Sequence, residues 1–199
     1  MAQPNLFETR EDGRDAVPSG FDYCPEFLSF TEEQQLLSEL ARLDFSRVEM
    51  RGVVARRRTA HYGYIYGYER RDATPGRPIP EFLRSVRARI ADWTGLDPSA
   101  WAEALITEYP EAAPIGWHRD APMFGDIAGI SLGASCRMKF RPYVSPKDVP
   151  RAGIRRTTHE IELAPRSAYL IRGDARRDFE HSIPPVARRR YSITFRTVK

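Results

Sequence analysis

The chain has 199 residues, of which 41% are hydrophobic, which suits one well-buried core and is short for two. It carries 31 Lys and Arg against 27 Asp and Glu, and its two cysteines exclude both a disulfide-rich secreted scaffold and a cysteine zinc site. No segment has the apolar length of a membrane span, and no apolar run follows a basic start. We therefore expect a cytoplasmic, monomeric protein without a membrane partner, in which both cysteines are reduced and buried.

Two helices are predicted in the first half of the chain, after a polar segment, 1–20, that is typical of a flexible lead-in. The first helix begins near Thr31, with Thr31 as N-cap and Gln34 completing a capping box. Its apolar stripe consists of Leu36, Leu37, Leu40 and Leu43. A second helical stripe, ended by Gly95, consists of Phe82, Leu83, Val86, Ile90 and Trp93. Residues 21–199 are expected to form a single domain around these elements.

The period of the apolar residues changes from 3.6 to 2 at Trp101, and short strands separated by Pro, Gly and Asp follow. In "CRMKFRP" the apolar Cys136, Met138 and Phe140 alternate with basic residues, which predicts a strand with one buried and one basic face. Many short strands behind two helices indicate a mainly β protein with flanking helices, of the α+β class. The expected architecture is a double-stranded β-helix, or jelly roll, buttressed by the two N-terminal helices.

The stretch "GWHRDAP" places His118 and Asp120 two residues apart, so that on an extended strand both side chains point to the same side. Two histidines and one carboxylate on one face of Fe(II) form a facial triad with open positions. The candidates for the third ligand are His61, His159 and His181. We favour His181, because it precedes a Pro-Pro turn and the final strand, and we interpret the other two as structural or exposed. An H-x-D pair also arises by chance, and His181 could instead be a turn histidine bonded to the backbone.

The last strand, "RYSITFR", offers a candidate site for a small dicarboxylate. Arg190, Ser192, Thr194 and Arg196 share one face, whereas the alternate residues are apolar or aromatic and resemble core. Two guanidinium groups over a small polar floor suit 2-oxoglutarate, since arginine binds carboxylates through paired hydrogen bonds. An exposed strand face with ordinary arginines is the alternative.

Together, Tyr109 nine residues before His118, "ISLG" after it, His181 and the closing "RYSITFR" resemble the AlkB family of Fe(II)- and 2-oxoglutarate-dependent dioxygenases. The resemblance runs from "YCPEFL" to the last strand, and "HYGYIYGYE" is most similar to the branch fused to eukaryotic tRNA-modifying enzymes. It implies a jelly roll with Fe(II) bound by the three ligands. It also implies a 2-oxoglutarate site formed by Tyr109, Thr107, Arg190, Ser192 and Arg196. Thr107 and Ser192 stand where bacterial repair members commonly have asparagine.

The stretch "HYGYIYGY" suggests an aromatic surface for the substrate, because alternation would place four tyrosines on one strand face. With the arginine runs on either side, it could stack on an extruded base and hold phosphates. The candidate substrate-binding residues are Tyr62, Tyr64, Tyr66 and Arg58. Tyrosines that merely cover a sheet, and arginines that merely keep the protein soluble, are the alternatives.

The expected function is oxidative removal of N-methyl or related alkyl groups from bases in DNA or RNA, single-stranded or with the base flipped out. Hydroxylation of an N-methyl group gives an unstable alcohol that releases formaldehyde, alongside succinate and CO2. Two other functions remain open. One is a 2-oxoglutarate-dependent hydroxylase or demethylase of a protein or small molecule. The other is a non-catalytic nucleic-acid-binding β domain in which the H-x-D pair is incidental.

Overall fold

Two antiparallel sheets and three helices make up the computed structural model, which describes residues 17–50, 52–67, 72–145 and 157–199. The helices are α1 (Phe30–Leu40), α2 (Arg84–Thr94) and α3 (Gly173–Arg177). The strands are β1 (Phe21–Cys24), β2 (Ser46–Met50), β3 (Val53–Gly67), β4 (Asp72–Pro75), β5 (Trp101–Tyr109), β6 (Ile115–His118), β7 (Phe124–Leu132), β8 (Cys136–Pro142), β9 (His159–Leu163), β10 (Ala168–Ile171), β11 (Phe179–Ile183) and β12 (Arg190–Val198).

The larger sheet has the strand order β1-β10-β7-β12-β5-β3-β2, with β4 paired to β3, and the smaller sheet has the order β6-β11-β8-β9. Successive strands of the second half pass between the two sheets, so that β6 and β8 lie in one sheet and β7 in the other. This antiparallel, two-sheet arrangement confirms the predicted jelly roll. No helix within the described ranges has both the length and the apolarity needed to cross a bilayer.

The two faces of the larger sheet belong to different cores. On one face, Ile106, Ile193 and Phe195 pack with Leu40 and Ile90 of the helices, and all five are completely buried. The other face and the smaller sheet enclose a second cluster, which includes Phe140, Met138, Tyr169 and Ile171. Because α1 and α2 cover only one face, the opposite face is available to line a site between the sheets.

The first helix begins two residues earlier than the sequence pattern suggests. Ser29 is the N-cap, its side chain accepts a hydrogen bond from the Glu32 backbone, and the Glu32 side chain reaches back to the Ser29 backbone. The prediction that Thr31 caps this helix was therefore wrong, because Ser29 and Glu32 form the capping box two residues earlier. The second helix ends as predicted at Gly95, whose φ of 73° is the left-handed conformation that favours glycine.

Gly63 breaks the alternation of β3, so Tyr62 and Tyr64 do not share one face. Its φ is +78°, and a Cβ there would lie 2.0 Å from the carbonyl oxygen of Ala102. Before it, Tyr62 is 6% exposed in the core under the helices, with the guanidinium of Arg77 stacked 4.9 Å over its ring. After it, Tyr64 is 38% exposed. A one-faced substrate ladder that includes Tyr62 was therefore wrong.

Several expectations fall outside the described residues. They concern most of the lead-in (1–16), Tyr68, the arginine pair 70–71 and the side chain of Tyr66. Of the two cysteines, both free, Cys136 is buried as expected, whereas Cys24 is partly exposed.

Replacing Ser29 with alanine should lower the free energy of unfolding by about 1 kcal/mol, the usual loss on removing an N-cap side chain. Chemical denaturation monitored by circular dichroism measures it. Thr31→Ala is the matched control, because Thr31 lies inside the first turn and caps nothing. Equal losses in the two variants would contradict the assignment of Ser29 as the cap.

Candidate active site

Two histidines face each other across the smaller sheet. His118 is the last residue of β6 and is directly opposite His181 of β11, and their ring centroids are 4.3 Å apart. Because β6 ends at His118, Asp120 lies in the loop that follows. This loop turns the Asp120 carboxylate toward the two histidines. One ligand atom from each of the three side chains lies within 4.8 Å of the others. This spacing could hold one metal ion, with ligands that suit Fe(II).

The hydrogen bond of His118 and the neutral state of His181 both suit metal binding. His118 Nδ1 lies 2.8 Å from the Gly116 carbonyl oxygen, to which it can donate its proton, leaving the Nε2 lone pair free. That Nε2 lies 3.6 Å from Asp120 Oδ1. Burial, together with the neighbouring His118, lowers the pKa of His181 to about 3. His181 is therefore neutral near pH 7, as a metal ligand must be.

Asp120 is held by an ion pair that spans the two sheets. Its Oδ2 accepts a hydrogen bond of 2.7 Å from Nε of Arg196 on β12, and Arg196 Nη1 donates to Oε2 of Glu103 on β5, also at 2.7 Å. Burial by itself would raise the pKa of Asp120, but Arg196 and the two histidines hold that pKa below its ordinary value. The carboxylate therefore stays ionised, with Oδ1 left on the side of the histidines.

Arg176, which sequence reasoning missed, fixes the loop that carries Asp120. From α3, its guanidinium donates to the carbonyl oxygens of Ala121 (2.8 Å), Phe124 (2.9 Å) and Gly125 (3.0 Å), and to that of Asp120 at 3.3 Å. One side chain thus satisfies four backbone acceptors of an irregular segment. Its only sequence signal is its position five residues before His181.

Arg190 lies in the same inter-sheet space and has unused hydrogen-bonding capacity. The side chain is completely buried, so the run 188–190 is not a uniform surface cluster. Its Nη2 donates to Ser131 Oγ at 3.1 Å, and its Cζ is 4.8 Å from the centre of the Tyr109 ring. Nε and Nη1 have no hydrogen-bond partner among the described residues. A buried guanidinium without partners is costly, so this site fits an anionic ligand such as a carboxylate.

A row of hydroxyl groups crosses the sheet beside Arg190. Five strands contribute one residue each at the same register, namely Ser46, Thr59, Thr107, Ser192 and Ser131. Tyr169, which sequence reasoning also missed, hydrogen bonds to Ser192. Its ring packs directly over Gly129, because a Cβ at that position would lie 2.1 Å from Cζ of the ring. The predicted polar floor is therefore present and wider than β12 alone.

Two of the predicted substrate residues, Arg58 and Tyr62, do not face this site. Arg58 lies on the helix-covered face of the sheet, where it pairs with the buried Glu108 (Nε to Oε2, 2.6 Å) and stacks on Phe45. On β3 the residues of the site-facing side are instead Arg57, Thr59 and His61. The sequence assigned the opposite side because it extended the tyrosine alternation back through Gly63.

Each cation on the basic face of β8 has a glutamate partner on a neighbouring strand, and two of the cations share one glutamate. Lys139 and Arg137 pair with Glu160 at 2.5 and 3.7 Å, and Arg141 pairs with Glu180 at 2.5 Å. The prediction of one buried and one basic face on β8 is therefore confirmed, and the cations of the basic face are already engaged by glutamates.

A model of the 2OG-Fe(II) oxygenase superfamily matches residues 20–196. The chain belongs to this superfamily. The facing His–Asp–His cluster and the unpaired Arg190 fit the two cofactors of these oxygenases, which are Fe(II) and 2-oxoglutarate. When bound, the two together allow dioxygen to oxidise a substrate C–H bond, with release of succinate and CO2.

Curated relatives confirm the AlkB resemblance. The Arabidopsis thaliana "Alkylated DNA repair protein ALKBH8 homolog" is 29% identical over 181 residues, which cover 83% of this chain and 51% of that protein. The Mus musculus "tRNA (carboxymethyluridine(34)-5-O)-methyltransferase ALKBH8" is 26% identical over 179 residues, covering 87% of this chain and 25% of that protein. The oxygenase chain thus spans about half of the first relative and a quarter of the second.

Solved structures share the fold of this oxygenase at low identity. OsALKBH1 aligns with a TM-score of 0.66 and 13% identity, covering 92% of this chain and 99% of that one. A Pseudomonas putida prolyl-4-hydroxylase aligns with a TM-score of 0.57 and 14% identity, covering 90% and 93%. Likeness at this level concerns the fold alone.

Glu103→Ala should weaken metal binding by about 10- to 100-fold, because the outer partners of ligating carboxylates usually contribute that much. Glu103→Gln should lose less, since an amide oxygen can still accept from Arg196. Metal titration of the two variants measures the effect. Glu108→Gln is the control, because Glu108 is equally buried in β5 but faces the helices. Equal losses at both positions would show a general effect of disturbing β5.

Acidification from about pH 7 to about pH 5 should destabilise the metal-free oxygenase through His181. Its pKa is about 3 when folded, whereas the unfolded chain takes up the proton near the ordinary value of 6.5. Below that value the unfolded state binds more protons, so the free energy of unfolding falls by up to about 1.4 kcal/mol per pH unit. The folded pKa of Asp120 lies below this window and contributes nothing there.

Denaturation of the chelated protein at both pH values, beside His181→Asn, isolates the contribution of His181. The variant should show the smaller pH dependence. Identical dependence in the two proteins would rule out a buried, neutral His181.

Proposed function

We propose that this oxygenase removes alkyl groups oxidatively from nucleobases in DNA or RNA. The observation that carries the proposal is the His–Asp–His cluster beside a buried arginine with two unused donors, in a chain whose curated relatives are named for alkylated DNA repair and tRNA modification. The relatives supply the nucleic-acid part of the proposal. The site supplies the oxidative part.

We assign Fe(II) to His118, Asp120 and His181, and the distal carboxylate of 2-oxoglutarate to Arg190. Arg190 is supported by its free Nε and Nη1, and the pocket wall by the adjacent Tyr109 ring. Ser192 and Thr107 belong to the hydroxyl row and would contact the co-substrate from the floor. We assign Arg196 to positioning Asp120 and not to binding 2-oxoglutarate directly, because its Nε and Nη1 are engaged by Asp120 and Glu103, respectively.

The base would be presented at the β3 side of the site. Tyr64 is exposed and could stack on an extruded base, since aromatic faces bind bases with little sequence preference. Arg57, on the site-facing side of the same strand, could hold a neighbouring phosphate. Tyr66 remains a candidate of the same kind from its place on β3.

The test is incubation of the protein with Fe(II), 2-oxoglutarate and single-stranded DNA or RNA carrying N-methylated bases. Mass spectrometry should show the unmodified base, with one formaldehyde and one succinate for each methyl group removed. His118→Ala should reduce all three products to background. A stable product one oxygen heavier, without formaldehyde, would instead identify a base hydroxylase.

Two outcomes would contradict the proposal and favour the alternatives. Normal succinate formation with a peptide or small molecule, and none stimulated by nucleic acid, would indicate the hydroxylase of another substrate class. Absence of iron and of succinate in both the wild type and His118→Ala would indicate a non-catalytic β domain.

A further inference from the structure

A basic cleft of about 490 Å³ borders the loop that carries Asp120. It lies next to the proposed metal site, but neither His118 nor His181 lines it. Its walls are formed by Arg119, Asp120, Ala121, Pro122, Tyr143, Arg176, Arg177 and Lys199. Four of these side chains are cationic and one is acidic, so the walls are strongly positive.

The guanidinium of Arg119 is held in place in this cleft. Its Cζ lies 3.5 Å from the centre of the Tyr143 ring, and Nη1 donates to the Arg177 carbonyl oxygen at 3.0 Å. The residue nevertheless remains exposed, so the rest of its donor fork faces solvent. A positioned, exposed guanidinium loses less conformational entropy on binding an anion than a free arginine does.

Carboxylates do not compensate this charge as they do on the outer face of the smaller sheet. Within the described ranges, no acidic side chain lies at ion-pair distance from Arg119, whereas Arg137 and Arg141 each have a glutamate partner. Asp120, the one acid of the cleft, is already paired with Arg196. Asp174 pairs with Arg177, but their side chains are 50% and 65% exposed, respectively. An ion pair with this much exposure is weak.

We propose that this cleft binds a phosphodiester group of the nucleic-acid strand next to the reacting base. The ligand class follows from the planar donor fork of Arg119, which matches phosphate oxygens, and from the other cations that line the same cleft. The cleft is large enough for one nucleotide. The inference rests on the proposed function, since it concerns the same substrate strand.

Binding of fluorescein-labelled single-stranded DNA and RNA oligonucleotides to the full chain, measured by anisotropy over a range of salt concentrations, tests it. Arg119→Gln and Arg177→Gln should each weaken binding by about 5- to 10-fold and reduce the slope of log Kd against log salt by about one. The control is Arg137→Gln, an equal charge change on β8 away from the cleft, which should bind like the wild type. Whichever of DNA and RNA shows the larger loss identifies the strand held in the cleft.

Succinate formation without nucleic acid separates loss of the cleft from damage to the metal site, because Arg119 lies between two proposed ligands. The rate of this succinate formation should stay at the wild-type value in Arg177→Gln. Because both variants are tested for binding, the inference does not depend on Arg119 alone. If the wild type demethylates oligonucleotides while Arg177→Gln and Arg119→Gln bind them unchanged, or if Arg137→Gln loses as much, this inference is wrong and the proposed function stands. If the wild type neither binds nor demethylates them, the proposed function itself has failed.

Discussion

The structure depends on keeping one carboxylate ionised in the space between two sheets. Asp120 is buried, and burial alone would favour its neutral form. Arg196 prevents this at a separation of 2.7 Å, and Glu103 on the far side accepts a second hydrogen bond that holds the guanidinium in place. The trio joins the loop after β6 to β12 and β5, so the geometry of the metal site is set by the packing of one sheet on the other. Removing Arg196 would leave the two carboxylates facing each other without a cation, which buried sites tolerate poorly.

Strand β12 contributes to both the core and the candidate site, because successive residues point to opposite sides of the sheet. Ile193 and Phe195 bury their side chains under the helices, while Arg190 and Arg196 reach into the inter-sheet space. The helices therefore stabilise the sheet from behind without entering the site. Rigidity of this kind matters for an oxygenase, because ligands held on packed strands keep their mutual positions better than ligands on loops. Asp120 is the exception, and the four carbonyl contacts of Arg176 compensate for its place on a loop.

Periodicity predicted those parts of the fold that depend only on the alternation of neighbouring residues along one strand. The period-2 pattern after Trp101 identified the β half, and the face assignments on β8 and β12 agree with the structure because no residue interrupts their alternation. His118 and Asp120 could be paired from spacing, but only the β6–β11 register places His181 opposite His118, and register between distant strands is not written in local sequence. Glu103 and Arg176 were missed for the same reason, since their partners lie 93 and up to 56 positions away.

The failure on β3 has a different cause and bears on substrate choice. One glycine with a positive φ reverses which side chains face the site, so Arg57 and His61 replace Arg58 and Tyr62 there. The iron ligands and the buried arginine are compatible with many oxidations, and the same fold serves a prolyl-4-hydroxylase as well as OsALKBH1. Substrate selection must then come from groups around the rim of the site. On this chain Arg57 of β3 and Arg119, which Tyr143 and the Arg177 carbonyl hold in place, are the cations from which we propose a polyanionic substrate.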